Sequence, residues 1–114
     1  MIEYPKRGEI YLVNLLSKPK DSKNRPALVV SLDIRNKLAN DIIVVPLSTN
    51  LRPSPNHVLL QECEGGLSKA SMAKCEQVTT IDKSLLLRGP FAGKISDEKM
   101  QEIEKAIMIA LGAI

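Results

Sequence analysis

The chain has 114 residues, 44% of them hydrophobic and 25% charged, which fits one small domain over 1–114 and argues against disorder. Lys and Arg outnumber Asp and Glu by 16 to 13, a formal charge of +3. With no Trp, one Phe and two Tyr the core must be aliphatic, and the single histidine, His57, excludes chemistry that needs two imidazoles in one chain.

In chain order, the first ten residues carry Glu3, Lys6, Arg7 and Glu9 and no apolar run, so no signal peptide is expected. Gly8 to Leu15 (GEIYLVNL) reads as a strand bounded by Gly and by a polar loop. That loop, Ser17 to Arg25 (SKPKDSKNR), is the densest basic patch, and residues 1–40 hold all the excess positive charge. Arg25 to Leu32 (RPALVVSL) is a second strand whose near-continuous apolar run predicts burial on both faces. Asp41 to Leu47 (DIIVVPL) is a third, with Pro46 near its end, where a missing N–H is tolerable. Ser48 to Asn56, with Pro53 and Pro55, is a loop, and His57 to Gln61 a fourth strand. Glu64-Gly65-Gly66 turns the chain, and Ser71 to Thr80 supplies one or two more strands.

A helix follows. Ser96 is its N-cap, Asp97 and Glu98 place negative charge at the positive end of the dipole, and Ile95 and Met100 fit a hydrophobic staple. Met100, Ile103, Ile107, Ala110, Leu111 and Ile114 recur at helical spacing. An apolar stripe reaching so near the C-terminus needs a cover, either the chain's own sheet or a second subunit. The apolar run Ala106 to Ile114 is too short to span a bilayer. The pattern as a whole predicts a small, strongly bent antiparallel sheet or partly open barrel with a terminal helix.

Two cysteines and one histidine fall short of the four ligands of a structural zinc site, and no cofactor-binding loop is present. Cys63 and Cys75 are expected to be reduced thiols in a cytoplasmic protein, with a disulfide open to them only if they fall on neighbouring strands. Neither looks activated: Cys63 stands between Glu62 and Glu64, and Cys75 lies in a strand-like run. His57, alternating with Leu59, reads as a satisfied structural histidine before it reads as a catalyst. Two features point to phosphate. The Arg25-Pro26 pair holds a guanidinium on an extended strand end, where it can grip a phosphate through paired hydrogen bonds. Ser48, Thr49 and Asn50 put three short polar side chains just past a buried strand.

The runs RGEIYLVNL, RPALVVS, VVPLST, NHVLL and SMAKCEQVTTIDKSLL, followed by the helix, resemble the MazF/PemK toxins of bacterial toxin–antitoxin pairs, in register from Arg7 to the last residues. The resemblance implies a mainly β fold with a C-terminal helix, an SH3-like small barrel of the MazF/CcdB type, and a homodimer. It also implies a metal-independent, cofactor-free, sequence-specific endoribonuclease that cuts single-stranded RNA and is neutralised by an acidic antitoxin. The family's catalytic arginine falls on Arg25 and its catalytic threonine on Ser48, in Pro46-Leu47-Ser48. The family's Glu-Gln pair falls on Glu76-Gln77, with Gln77 placed to read a base edge, and one of its serines on Ser71. Lys18, Lys20, Lys23 and Arg52 would attract the RNA backbone by their charge, and Asn24 and Thr49 are further candidate RNA contacts. Ala70 stands in place of the family's Asp, Thr79 in place of its Arg, and Lys23-Asn24 in place of its Gly pair.

The expected chemistry is attack of the RNA 2′-OH on its own phosphate, giving 2′,3′-cyclic phosphate and 5′-OH ends. Arg25 would stabilise the dianionic transition state and Ser48 would orient the phosphate. One alternative is a non-enzymatic toxin of the same fold, like the gyrase-binding CcdB group. Its Trp-Gly-Ile ending has no counterpart in Leu111-Gly112-Ala113-Ile114. The other is a catalytically silent member that only binds nucleic acid or antitoxin.

Overall fold

The computed structural model describes residues 3–15 and 24–114. The candidate RNA-binding lysines Lys18, Lys20 and Lys23 lie outside the described residues. The elements in chain order are β1 (Ile10–Val13), β2 (Arg25–Val29), α1 (Asp33–Leu38), β3 (Asp41–Ser48), β4 (His57–Leu60), β5 (Ser71–Lys74), β6 (Thr79–Asp82), β7 (Leu86–Arg88) and α2 (Asp97–Ala110). The seven strands form one antiparallel sheet in the order β4-β5-β3-β2-β1-β7, with β6 also paired to β3. Its end strands, β4 and β7, are not joined to one another among the described residues, so the sheet is barrel-like and open.

β3 organises the sheet because it has more pairing capacity than one neighbour can use. Its first half pairs β6 from Asp41↔Asp82 to Val44↔Thr79 on one side and β2 from Val29↔Val44 to Ala27↔Pro46 on the other. Pro46 has no N–H to give, and the β2 ladder ends there. Leu47 and Ser48 then pair with Ala73 and Met72 of β5.

The sheet buries apolar side chains on both faces, as the run RPALVV predicts. One core lies under α2 and gathers Ile10, Leu28, Val45, Leu47, Val58, Leu60 and Ala73 with Met100, Ile103 and Ala106. A smaller one on the opposite face gathers Val13, Ala27, Val29, Ile42, Val44 and Ile81. Alternation along β2 sends Leu28 to the first and Ala27 and Val29 to the second. At Gly65, where φ is +57°, an added Cβ would lie 2.6 Å from Ile10 Cδ1, so the expected turn also lets the backbone close over the main core.

α2 begins as its cap residues direct: Ser96 Oγ accepts from Lys99 N–H at 3.2 Å, and Ile95 and Met100 are both buried in the main core. The end of the stripe is not covered by the chain's own sheet. Helical geometry stops at Ala110, and Leu111 and Ile114 are 71% and 65% exposed. The chain's own sheet therefore covers only the first part of the apolar face.

α1 was not anticipated. Its six residues hang on a buried polar knot: Ser31 Oγ donates to Asn36 Oδ1, Asn36 Nδ2 donates to Ser31 O at 3.0 Å, and Ile43 N donates to Ser31 Oγ at 3.0 Å. Arg7 completes the corner, its N–H donating to Asp33 Oδ1 at 2.7 Å and its guanidinium bonding Val30 O and Glu104.

Candidate active site

Arg25 opens β2, opposite Val13 of β1, and alternates with Ala27 and Val29, so it belongs to the face away from α2. Continued by two residues, the Ala27↔Pro46 register brings Arg25 level with Ser48 on that same face. The two residues thus end adjacent antiparallel strands, each two residues beyond the last pair between them, Ala27↔Pro46. The half-buried Arg25 also interacts with the surrounding protein.

Ser48 is the last residue of β3. Its Oγ accepts the Asn50 N–H at 3.1 Å, which fixes the start of the following loop and leaves the hydroxyl proton available to a ligand. The strand stops here, so Thr49 does not continue it to the opposite face as an extended strand would; it is exposed in the bend, as is Arg52 further on.

The register carries the row across the sheet. Ser48 faces Met72 on β5, and Met72 faces Leu59 on β4. One step along lie Lys74 and, directly opposite it, His57. Lys74 is a cation on the Ser48 face that the sequence analysis passed over. Its spacing of two from Met72 was visible, but the face it occupies depends on a β3–β5 register that the sequence does not display.

After β5 a single 3₁₀ turn, Cys75–Gln77, carries Glu76 and Gln77, both exposed. Glu76 Oε2 meets His57 Nε2 at 3.1 Å, while His57 Nδ1 meets the Arg52 carbonyl at 2.8 Å. His57 is therefore a satisfied histidine, as expected, but one that ties the Ser48–Asn56 loop to the Glu76–Gln77 turn. Ser71 is buried at the far end of β5, where its hydroxyl donates to Lys69 O at 3.2 Å. Asn24 is exposed immediately before Arg25.

Cys63 and Cys75 are both free, the first exposed in the turn after β4 and the second fully buried. Burial first, and Glu76 second, push the Cys75 thiol up to about 12, which makes it an inert core residue. Among the described residues no three His, Cys, Asp or Glu side chains converge as a metal site would require, and no helix is long and apolar enough to cross a membrane.

The profile described as PemK-like, MazF-like toxin of type II toxin-antitoxin system matches residues 6–111, and the chain belongs to that family. The Endoribonuclease MazF of Staphylococcus saprophyticus is 31% identical over 111 residues, which cover 94% of this chain and 91% of that protein. An endoribonuclease from Mycobacterial species, solved in complex with its cognate antitoxin, is 26% identical and superposes with a TM-score of 0.79 over 96% of this chain and 97% of that one. MazF from Deinococcus radiodurans has a TM-score of 0.81 at 18% identity, covering 97% of this chain and 99% of that one, and speaks for the fold alone.

Proposed function

We propose that this protein is a sequence-specific endoribonuclease toxin that cuts single-stranded RNA by attack of a 2′-OH on the adjacent phosphate. The observation that carries the reading is that Arg25 and Ser48 end the adjacent antiparallel strands β2 and β3, with Ser48 Oγ accepting a backbone N–H and its own proton left to donate. The 2′-oxygen forms its bond to phosphorus as the P–O5′ bond breaks, giving a 2′,3′-cyclic phosphate. The 2′-OH proton passes to a base, and O5′ leaves with a proton as a 5′-OH. Arg25 holds the charge that builds on the non-bridging oxygens and Ser48 donates to one of them. A guanidinium keeps its proton in proteins, so Arg25 is not the base. Lys18, Lys20, Lys23 and Arg52 attract the RNA backbone, and Asn24, Thr49, Glu76 and Gln77 are the remaining candidates for RNA contact; Ser71, buried opposite Leu60 on the α2 face, is not one. Gln77 is the one best suited to reading a base edge.

The relatives named above are endoribonucleases, which favours cleavage over gyrase binding. We also propose a cytoplasmic homodimer that uses the exposed end of the α2 stripe as part of its subunit contact, with an acidic antitoxin as partner. An antitoxin accompanies the mycobacterial relative, and the excess positive charge over residues 1–40 would attract a partner of that charge.

The test is incubation of the purified protein with long single-stranded RNA in EDTA, beside Arg25→Ala. Discrete cuts ending in cyclic phosphate, lost in the variant and blocked by a 2′-deoxy nucleotide at the cut, are the expected result. Intact RNA, or cleavage of the deoxy-substituted site, overturns the mechanism.

A further inference from the structure

We propose that His57 is a positioning residue for RNA recognition: it latches the Ser48–Asn56 loop to the Glu76–Gln77 turn, and the latch closes only when its imidazole is doubly protonated. The inference rests on the RNA-cleaving reading above.

Each of the two ring contacts calls for a proton. A backbone carbonyl only accepts, so the 2.8 Å contact to Arg52 O requires a proton on Nδ1. An ionised carboxylate also only accepts, so the 3.1 Å contact to Glu76 Oε2 requires a second proton on Nε2. Both contacts hold together only in the imidazolium. A neutral ring that keeps Nδ1–H turns a bare lone pair toward the Glu76 carboxylate, and that contact opens.

The latch joins two segments of the Ser48 side of the sheet. One leaves Ser48 and carries Thr49 and Arg52; the other follows β5 and carries Gln77. Backbone bonds join them only at Cys75 N to Asn56 O, 3.0 Å, at the base of the loop. His57 is the tie nearer the loop's outer part. Its side chain is 10% exposed, so the ring is fixed, whereas that of Glu76 is 38% exposed, so its contact can open to water.

The charged groups facing the ring are Glu76 from the 3₁₀ turn and Lys74, directly opposite on β5. Arg52 contributes its carbonyl from the loop. α2 approaches β4 from the other face, through Val58 and Leu60. His57 is the only histidine of the chain, and imidazole is the side chain that ordinarily changes charge between pH 5 and 8, so a response in that window that disappears in His57→Gln belongs to this residue.

The experiment measures binding of a fluorescent single-stranded RNA, made cleavage-resistant by 2′-deoxy substitution at the cut, between pH 5 and 8. It compares the full protein with His57→Gln and Glu76→Gln. The wild type is expected to bind roughly two- to fivefold more weakly at the alkaline end. His57→Gln should lose that slope, because one amide cannot donate at both ends of the ring's span. Glu76→Gln should also lose it for the opposite reason: a carboxamide accepts from Nε2–H or donates to a bare Nε2, so the latch stays closed at every pH. A flat wild-type profile, or a slope that survives in either variant, overturns the proposal. Amide exchange in the Arg52–Asn56 segment of the free protein, slow at pH 5 and faster at pH 8 after correction for intrinsic rates, reads the latch without RNA. If RNA is neither bound nor cut while this exchange response persists, the RNA reading has failed and the latch stands. If RNA is cut but binding and exchange are flat, the latch alone has failed.

Discussion

A serine that accepts a backbone N–H at 3.1 Å and keeps its own proton is already arranged as a phosphate donor. Replacing Ser48 by Ala should therefore lower single-turnover RNA cleavage by about 100-fold, the usual effect of losing one such donor, and leave thermal stability almost unchanged. Ser48→Thr should hold or raise the rate, since it keeps the hydroxyl and its extra methyl narrows χ1. The two thiols give a second residue-level prediction. Ellman's reagent should titrate one thiol of the native protein, Cys63, and both after unfolding, because Cys75 is buried and its thiol lies up at about 12. A folded value above the ordinary thiol value of 9.0 contributes stability that is complete below the ordinary value and is lost as pH rises through the folded one. Tyr11, pushed by burial and then by Glu9 from 10.0 to about 12, acts in the same direction. Melting temperature should accordingly fall between about pH 9 and pH 12, and a flat profile there would contradict both assignments. The position of Arg25 on a strand end was legible in the sequence from Arg-Pro, since Pro26 restricts the residue before it. Lys74 was not, because nothing local distinguishes it from any other exposed-strand lysine.

Elements were legible where the physics is local. The cap, the staple and the 3.6-residue stripe of α2 are all properties of neighbouring residues, and the helix begins where they place it. What covers its far end is nonlocal: the stripe goes on to Leu111 and Ile114, which stay exposed on this chain, so of the two covers the sequence left open, its own sheet does not supply this one. α1 is nonlocal likewise. Six residues with no side-chain N-cap bond do not make a stable helix alone, and Asn36 is held by Ser31, an interaction specified only once β2 has turned toward β3. β6 and β7 fall in or after the stretch read as one or two more strands, because pairing two partners to one side of β3 is a property of the sheet. The same contrast predicts two stabilities. Ser96→Ala, which removes an exposed cap, should cost about 1 kcal/mol in urea unfolding. Asn36→Ala, which strands the buried Ser31 carbonyl and opens a void, should cost about 2–4 kcal/mol. If the cap variant proved the worse, the polar knot would not be what holds α1.

For the molecule as a whole, the sheet separates two tasks. α2 and the larger core occupy one face, while Arg25, Ser48, Lys74 and His57 share the other. With no Trp and one Phe in the chain, aromatic stacking cannot dominate the holding of RNA, so backbone charge and polar base contacts must share that work. Those two contributions respond differently to salt. A phosphate contact releases a counterion and adds about 0.7 to the slope of log affinity against log salt for a single strand, whereas a contact to a base edge adds none. Lys74→Met should therefore weaken binding of every RNA sequence alike and flatten the slope by about 0.7. Gln77→Ala should leave the slope intact and relax the preference for one base at the cut site, read from the distribution of cleavage ends. A reversal, with Lys74→Met altering the cut sequence and Gln77→Ala altering the salt slope, would mean that the RNA runs across this face in a different register: its phosphates along the 3₁₀ turn and its bases over β5.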